Sequence, residues 1–324
     1  MRPSDSLISF ERLPRVSQPA DIPCAYAGVR MPGPRSSPKS KLPRLSPSRI
    51  NTFLGCPMKY RFQYIDSVPK LPVEVALRGN FTHRILELLL QRPAPERTSD
   101  AAREAFDQAQ KEFLNDDDFR LLALDPAATE AFWEAAREAV RAYYRIEHPQ
   151  DADIVELEKW VSARLGDFEI AGFIDRLERV KGRLVVSDYK GSVPKRSEYS
   201  TDNFRQLMLY ALMCQVQLEQ TPHEVRVYYL GGGRDEFPRN KRVVSQEVTP
   251  EALDEVRTTA RHVFDDLNTA TTSGEFATKV QKLCDWCDYQ RWCPAHGGDP
   301  SVAHAEGTVA VNIRRKAVGL APIA

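Results

Sequence analysis

The sequence lacks any long run of apolar residues. No stretch of its 324 residues approaches the roughly 20 consecutive apolar residues that a membrane helix requires. The N-terminal stretch MRPSDSLISFERLPRVSQPAD also has no apolar signal-peptide core, so we expect a cytoplasmic protein without a membrane partner. In a reducing compartment the six cysteines are poor candidates for disulfides, and clustered cysteines are more typical of metal sites.

Net charge and a nucleotide-binding loop are also missing. The 45 Lys and Arg residues balance the 45 Asp and Glu residues, so the composition predicts no global attraction to nucleic acid, although a local basic groove is compatible with that balance. The glycine-rich stretch GGGR at 231–234 has neither the lysine nor the hydroxyl of a phosphate-binding loop. We therefore expect no ATPase motor within this chain.

Composition divides the chain into three parts. Residues 1–44 are rich in Pro, Ser and Arg without an apolar period, which predicts a disordered N-terminal arm in which Met31 could also serve as the initiator. Residues 45–297 carry the periodic apolar patterns of a folded domain. We expect residues 298–324 to form a flexible tail.

The periodic patterns predict an α/β fold. Helical spacing begins at Ser46 and Pro47, returns in GNFTHRILELLLQR, and fills residues 100–115 and 127–147, which we interpret as a helical insertion at about 95–150. Alternating patterns then predict a hairpin from DFEIAGFIDRLERV and RLVVSDYKG. A helix at about 203–219, strands at EVRVYYL and near 241–248, and a helix at about 250–270 complete a small mixed central sheet with its helices.

The hairpin predicts a pair of facing carboxylates. If Lys181 and Gly182 form a two-residue turn, facing residues have numbers that add to 363, and Asp175 lies opposite Asp188. Their Cβ atoms would then be about 4.5–5.5 Å apart on one face of the sheet. Two carboxylates at that separation repel each other unless a cation lies between them, and oxygen ligands suit Mg²⁺ or Mn²⁺. Lys190 lies on the same face as Asp188, because side chains alternate along a strand.

The cysteines predict a second site. Cys284, Cys287 and Cys293 follow the spacing C-x2-C-x5-C, and Cys56 is the natural fourth ligand. Such a site would hold the C-terminal cysteine segment, residues 284–293, against the N-terminal helix. Four thiolates suit either zinc or an iron-sulfur cluster, and the spacing does not decide between them. Cys214 is expected in the core and Cys24 in the arm.

Several motifs together resemble a known family. GFIDR followed by VVSDYKG, with GNFTHRILE upstream and QLMLYAL downstream, is similar to the PD-(D/E)XK core of RecB-type exonucleases over residues 46–294. The resemblance implies a restriction-endonuclease-like core. It also implies a divalent-ion site and catalytic groups, with His83, Asp175, Asp188 and the Tyr189 carbonyl as metal ligands, Lys190 as the catalytic lysine, and Gln206 and Tyr210 as a Q-x-x-x-Y pair. Asp175 stands without the preceding proline of some members, and Asp188 replaces the glutamate of others, but both still supply carboxylates.

The same resemblance bears on cofactor and function. RecB-type nucleases with one cysteine before and three after the core carry a 4Fe-4S cluster, so the resemblance favours a cluster over zinc. It implies an exonuclease of DNA repair or recombination that acts on single-stranded DNA ends, in company with a separate helicase. A CRISPR-associated RecB-like nuclease that trims DNA before integration is an alternative. A catalytically idle iron-sulfur DNA-binding subunit is another, although intact His83, Asp175, Asp188 and Lys190 argue against it.

Overall fold

The computed structural model describes residues 42–193, 201–232 and 241–324, and its centre is a mixed sheet. The sheet has six strands in the order β1-β3-β4-β5-β6, with β2 paired to β3. β2, β3 and β4 are antiparallel neighbours, β4 and β5 are parallel, and β5 and β6 are antiparallel. The strand bounds are β1 Arg44–Leu45, β2 Asp153–Leu165, β3 Phe168–Val180, β4 Arg183–Lys190, β5 Glu224–Tyr229 and β6 Val243–Glu247. The predicted α/β class with a small mixed sheet is confirmed.

The predicted hairpin is formed by β3 and β4. Lys181 and Gly182 both have positive φ, 51° and 77°, as a two-residue turn of type I′ requires. The ladder runs from Val180 opposite Arg183 to Arg176 opposite Ser187, which is the predicted register. It ends one residue before Asp175 and Asp188, so these two acids lie where the paired strands separate.

The sequence did not predict β2. Its residues, DIVELEKWVSARL, do not alternate cleanly, because the strand carries a register shift between Ile154 and Glu156 and a residue of positive φ, Glu158 (48°). Each irregularity shifts the apolar residues relative to a period of two. The strand therefore forms through its pairing with β3 rather than through a pattern of its own.

Helices cover both faces of the sheet. One face packs against α1, α7 and α8, and the other against α3, α4, α5 and α6. The helix bounds are α1 Pro47–Gly55, α2 Pro57–Tyr60, α3 Glu74–Leu90, α4 Ser99–Leu114, α5 Asp117–Leu122, α6 Pro126–Ile146, α7 Thr201–Gln217, α8 Pro250–Ser273 and α9 Ala303–Ala317. The helices α4 to α6 occupy the predicted insertion. No helix in the described ranges is both long and apolar enough to span a bilayer.

The predicted flexible tail is wrong, because residues 303–317 form α9. Its Gly307 lies against the chain at Pro69, where a Cβ atom would approach the Pro69 carbonyl oxygen to 2.7 Å. At its N-terminal end Glu306 accepts a hydrogen bond of 2.8 Å from the Trp292 indole, and near its C-terminal end Arg315 pairs with Asp117 at 2.9 Å. These contacts with distant segments hold a helix whose own apolar stripe is weak.

The predicted arm included Arg44, which belongs to β1, while residues 1–41, Cys24 among them, lie outside the described residues.

Candidate active site

The candidate site lies where β3 and β4 separate, beneath α3. His83 of α3 contacts both strands: its Nε2 is 2.8 Å from the Tyr189 carbonyl oxygen, and its Nδ1 is 3.3 Å from Asp175 Oδ2. Burial lowers the pKa of His83, but Asp175, Asp188 and the Tyr189 carbonyl raise it to a value above the ordinary one. The imidazole therefore sits among the same oxygen atoms that the sequence predicted as metal ligands.

The two carboxylates are incompletely satisfied. Asp188 is only 5% exposed, and burial, reinforced by Asp175, raises its pKa to about 7 despite the opposing effect of Lys190. Asp175 Oδ2 and Asp188 Oδ2 are both buried, and neither accepts a hydrogen bond from any described residue. Each oxygen has one ion-pair contact, Asp175 Oδ2 with His83 and Asp188 Oδ2 with Lys190. Buried polar atoms are normally hydrogen-bonded, so two oxygens without a hydrogen bond at one place indicate room for a further positive partner.

Lys190 lies beside Asp188 at the end of β4. Its Nζ donates a hydrogen bond of 3.0 Å to Asp188 Oδ1 and lies 2.8 Å from Oδ2. Burial lowers the pKa of Lys190, but Asp188 raises it more, so the ammonium keeps its charge. The side chain remains partly exposed, and a fixed cation is therefore presented at the mouth of the site.

Gln206 and Tyr210 approach the same place from α7. They are hydrogen-bonded to each other, and Tyr210 is close enough to Asp175 and Asp188 that these charges add to the effect of burial in raising its pKa. A Cβ atom at Gly172 would lie 2.9 Å from Tyr210 Cε1, so the close approach of this ring to β3 requires glycine there. The structure thus brings together the predicted site residues His83, Asp175, Asp188, Tyr189, Lys190, Gln206 and Tyr210.

One further acid belongs to this site and was missed. Glu158 of β2 lies between residues that pair with Arg176 and Ile174, so the register places it beside Asp175. Burial, with Asp175 and Glu87 nearby, raises the pKa of Glu158 to about 7. Its φ of 48° is uncommon for a residue with a side chain, and such conformations cluster at functional sites. Recognition of β2 as the partner of β3 would have revealed it.

The four predicted cysteines meet at a second site. Cys56 follows α1, Cys284 lies in the 3-10 turn Lys282–Trp286, and all four cysteines line one cavity of about 80 Å³. All four are free thiols. The pKa of Cys293 is raised by burial and by the proximity of Cys56, Cys287 and Cys284. The backbone N–H of Gln281 donates to Cys284 Sγ at 3.4 Å. Cys214 is buried in the core, as predicted, where burial raises its pKa to about 12.

The chain segments on either side of this cavity are tied together. The Met58 amide donates to the Ala277 carbonyl at 3.0 Å, Lys279 Nζ to the Leu54 carbonyl at 3.0 Å, and Gln281 Nε2 to the Gly55 carbonyl at 3.2 Å. These bonds hold the residues just before the C-terminal cysteine segment against the end of α1, and the segment itself shares the cavity with Cys56, as the sequence predicted. Across the described part of the chain, however, no three or more His, Cys, Asp or Glu side chains are arranged so that they could hold a metal ion as they stand.

Comparisons with known proteins match most of this chain to one family. The family model of the PD-(D/E)XK nuclease superfamily matches residues 44–294. Among solved structures, the protein SSO0001 is 13% identical with a TM-score of 0.39, over 80% of this chain and 89% of that one. A candidate exonuclease from Eubacterium rectale is 14% identical with a TM-score of 0.48, over 76% and 88%. No curated protein matches in sequence.

Proposed function

Because the chain belongs to the PD-(D/E)XK nuclease superfamily, we propose that it is a divalent-metal-dependent deoxyribonuclease that degrades DNA from single-stranded ends. The pair of buried carboxylate oxygens that accept no hydrogen bond, Asp175 Oδ2 and Asp188 Oδ2, carries this proposal. A phosphodiester substrate is supported by the acid-lysine arrangement at the end of β4, since cleavage of this anionic group is helped by both a cation site and a fixed positive side chain.

The donor set fits Mg²⁺ or Mn²⁺. His83, Asp175, Asp188 and the Tyr189 carbonyl would hold the ion, and carboxylate and carbonyl oxygens are the ligands that these hard cations prefer. Burial first, and then the charge of Asp175, raise the pKa of Asp188, and a bound cation would favour its charged form. When bound, the ion would neutralise phosphate charge and lower the pKa of a water molecule. His83 would have to exchange its present contact with Asp175 for the ion.

The remaining residues act on the substrate. Lys190 presents its ammonium beside Asp188, where it can orient the attacking water and stabilise negative charge that develops on the phosphate. Tyr210 and Gln206, hydrogen-bonded to each other, approach the same site from α7 and can hold the scissile phosphate or Lys190 in place. The helices of the insertion pack beside α3 on the sheet face opposite Asp175 and Asp188, and from there they can narrow access to the site to a single strand.

We propose a 4Fe-4S cluster at the cysteine site. The support is the convergence of Cys56, Cys284, Cys287 and Cys293 on one cavity and the amide that donates to Cys284 Sγ, since hydrogen bonds to sulfur are a feature of cluster sites. Met58 and Phe62 add an apolar lining. Zinc is the alternative metal for the same four thiolate ligands.

Anaerobically purified protein is expected to be brown and to contain iron and acid-labile sulfide. Cys56→Ser should lose the colour and melt at a lower temperature, because metal binding to the native state contributes to its stability and Cys56 joins distant parts of the chain. Cys214→Ser is a matched control, since Cys214 lies in the core away from the cavity, and should keep the colour. Stoichiometric zinc without iron would refute the cluster but not the nuclease.

The proposed activity is tested with four DNA substrates in Mg²⁺ or Mn²⁺: end-labelled single strands, end-labelled duplexes, a single-stranded circle and a closed duplex circle. We expect progressive shortening of the linear single strand and no change in either circle. Linearisation of the single-stranded circle would contradict exonuclease action. Failure to cleave any of the four substrates would contradict the nuclease.

A further inference from the structure

A buried polar cluster lies on the sheet face opposite the candidate metal ligands. Arg176 follows Asp175 on β3, and Ser187 precedes Asp188 on β4, so their side chains point to the other face. Arg176 is fully buried, and so is Glu178, two residues further along β3. The hydroxyl of Ser187 donates to Glu178 Oε1 at 2.5 Å.

Arg176 pairs with two carboxylates from different parts of the fold. Its Nη1 donates to Glu147 Oε1 at 2.6 Å and its Nη2 to Oε2 at 3.2 Å, while Nη2 also donates to Glu178. Glu147 directly follows α6, the last helix of the insertion. The guanidinium therefore joins the helical insertion to the strand that carries Asp175. A fork-shaped donor suits this role, because it holds two acids in fixed directions.

The same guanidinium reaches the residue between Asp188 and Lys190. Arg176 Nη1 donates to the Tyr189 hydroxyl at 3.1 Å, and the Tyr189 carbonyl lies 2.8 Å from His83 Nε2. Tyr189 is thus fixed at both its side chain and its backbone. Because Asp188 and Lys190 are its chain neighbours, a rotation of Tyr189 would move both groups.

We propose that Arg176 is a positioning residue: through the Tyr189 hydroxyl it sets the position of the Tyr189 carbonyl and of the end of β4, where the divalent ion would bind. This inference rests on the proposed function of the site. Outer partners of metal ligands commonly determine metal affinity by orienting the ligands. Arg176 acts here from the opposite face of the sheet, without contact with the ion or the substrate.

The structure offers a matched pair of variants. Replacement of Arg176 would leave Glu147 and Glu178 buried without a cation, which would confound loss of folding with loss of positioning. Arg176 donates to two hydroxyls, those of Tyr143 and Tyr189, and Tyr189→Phe removes only the second. Tyr228→Phe is the control, because the Tyr228 hydroxyl belongs to the same cluster, 3.2 Å from Glu147 Oε2 and 3.4 Å from Glu178 Oε1, on a strand that carries no predicted metal ligand.

We expect both variants to melt about 2–4 °C below the wild type without metal, since each loses one buried hydroxyl. Tyr189→Phe should weaken Mn²⁺ binding by about tenfold, and Tyr228→Phe by less than about twofold. Equal Mn²⁺ affinity in the two variants would overturn the positioning role. The nuclease proposal is tested separately, by DNA cleavage with the wild type. If the two variants differ in Mn²⁺ affinity as expected but the wild type cleaves no DNA, the role of Arg176 is supported and the nuclease is contradicted.

Discussion

Lys190→Ala is expected to slow DNA cleavage by about 10²- to 10³-fold while leaving divalent-ion binding close to that of the wild type. The ammonium lies 3.0 Å from Asp188 Oδ1 at the open side of the site, where it can meet the phosphate as negative charge develops. Alanine removes this cation without removing any predicted metal ligand. The loss should therefore appear in the rate of the chemical step.

Single-turnover cleavage at saturating Mn²⁺ measures that step. The comparison belongs at a pH above 8, because loss of Lys190 also removes an interaction that lowers the pKa of Asp188. Lys70→Ala is a suitable control, since Lys70 is a partly exposed lysine paired with a different acid, Asp288, at 2.7 Å. A rate for Lys190→Ala within a few-fold of both the wild type and this control would show that Lys190 is only an ion-pair partner.

Asp188→Asn is expected to abolish cleavage and to stabilise the metal-free protein at alkaline pH. The native pKa of Asp188 is raised from 3.8 to about 7, so the native state binds this proton more tightly than the unfolded state does. The contribution of Asp188 to the free energy of unfolding should therefore be fully present below about pH 4 and be lost as the pH rises through about 7. For one such group the fall is on the order of 4 kcal/mol.

Asparagine carries no titrating proton and nearly preserves the shape of aspartate. In metal-free protein with its cysteine site intact, denaturation from pH 4.5 to 8.5 should show a decline in the wild type and a smaller decline in Asp188→Asn, which keeps the raised pKa of Glu158. Mn²⁺ should restore stability at pH 8 in the wild type alone, because an ion that binds only the native state stabilises it by mass action. Asp167→Asn, at an exposed acid paired with Arg261, controls for the loss of a charge.

Parallel pH curves for the wild type and Asp188→Asn would contradict this account of the carboxylate pair. A variant that melts well below the wild type without metal, yet still responds to Mn²⁺, would identify Asp188 as a structural hydrogen-bond acceptor instead.

The sequence predicted the hairpin and its register because both depend on local rules. A two-residue turn at Lys181 and Gly182 fixes which residues face each other, and strand alternation fixes their faces. The meeting of Asp175 with Asp188, and of Lys190 with both, follows from those two rules. The proximity of His83 depends on tertiary packing of α3, and only the family resemblance indicated it.

Glu158 and α9 could not be predicted in the same way. Glu158 sits at an irregular position of β2, whose sequence lacks a clean alternation, so its place beside Asp175 exists only through pairing with β3. The helix α9 is held by contacts of its polar residues Glu306 and Arg315 with Trp292 and Asp117, which lie outside the helix. An apolar period within α9 does not indicate these contacts. Both depend on interactions between segments, on which local patterns carry little information.

Direct measurement of Mn²⁺ binding tests most directly whether the ends of β3 and β4 form a divalent-ion site. Free Mn²⁺ is titrated at pH 8 against wild type, Asp188→Asn and Asp167→Asn, and the bound ion is quantified by electron paramagnetic resonance. We predict saturable binding by the wild type and by Asp167→Asn, with no binding to Asp188→Asn over the same range. Binding of equal affinity and stoichiometry to Asp188→Asn would contradict a metal site at Asp175 and Asp188.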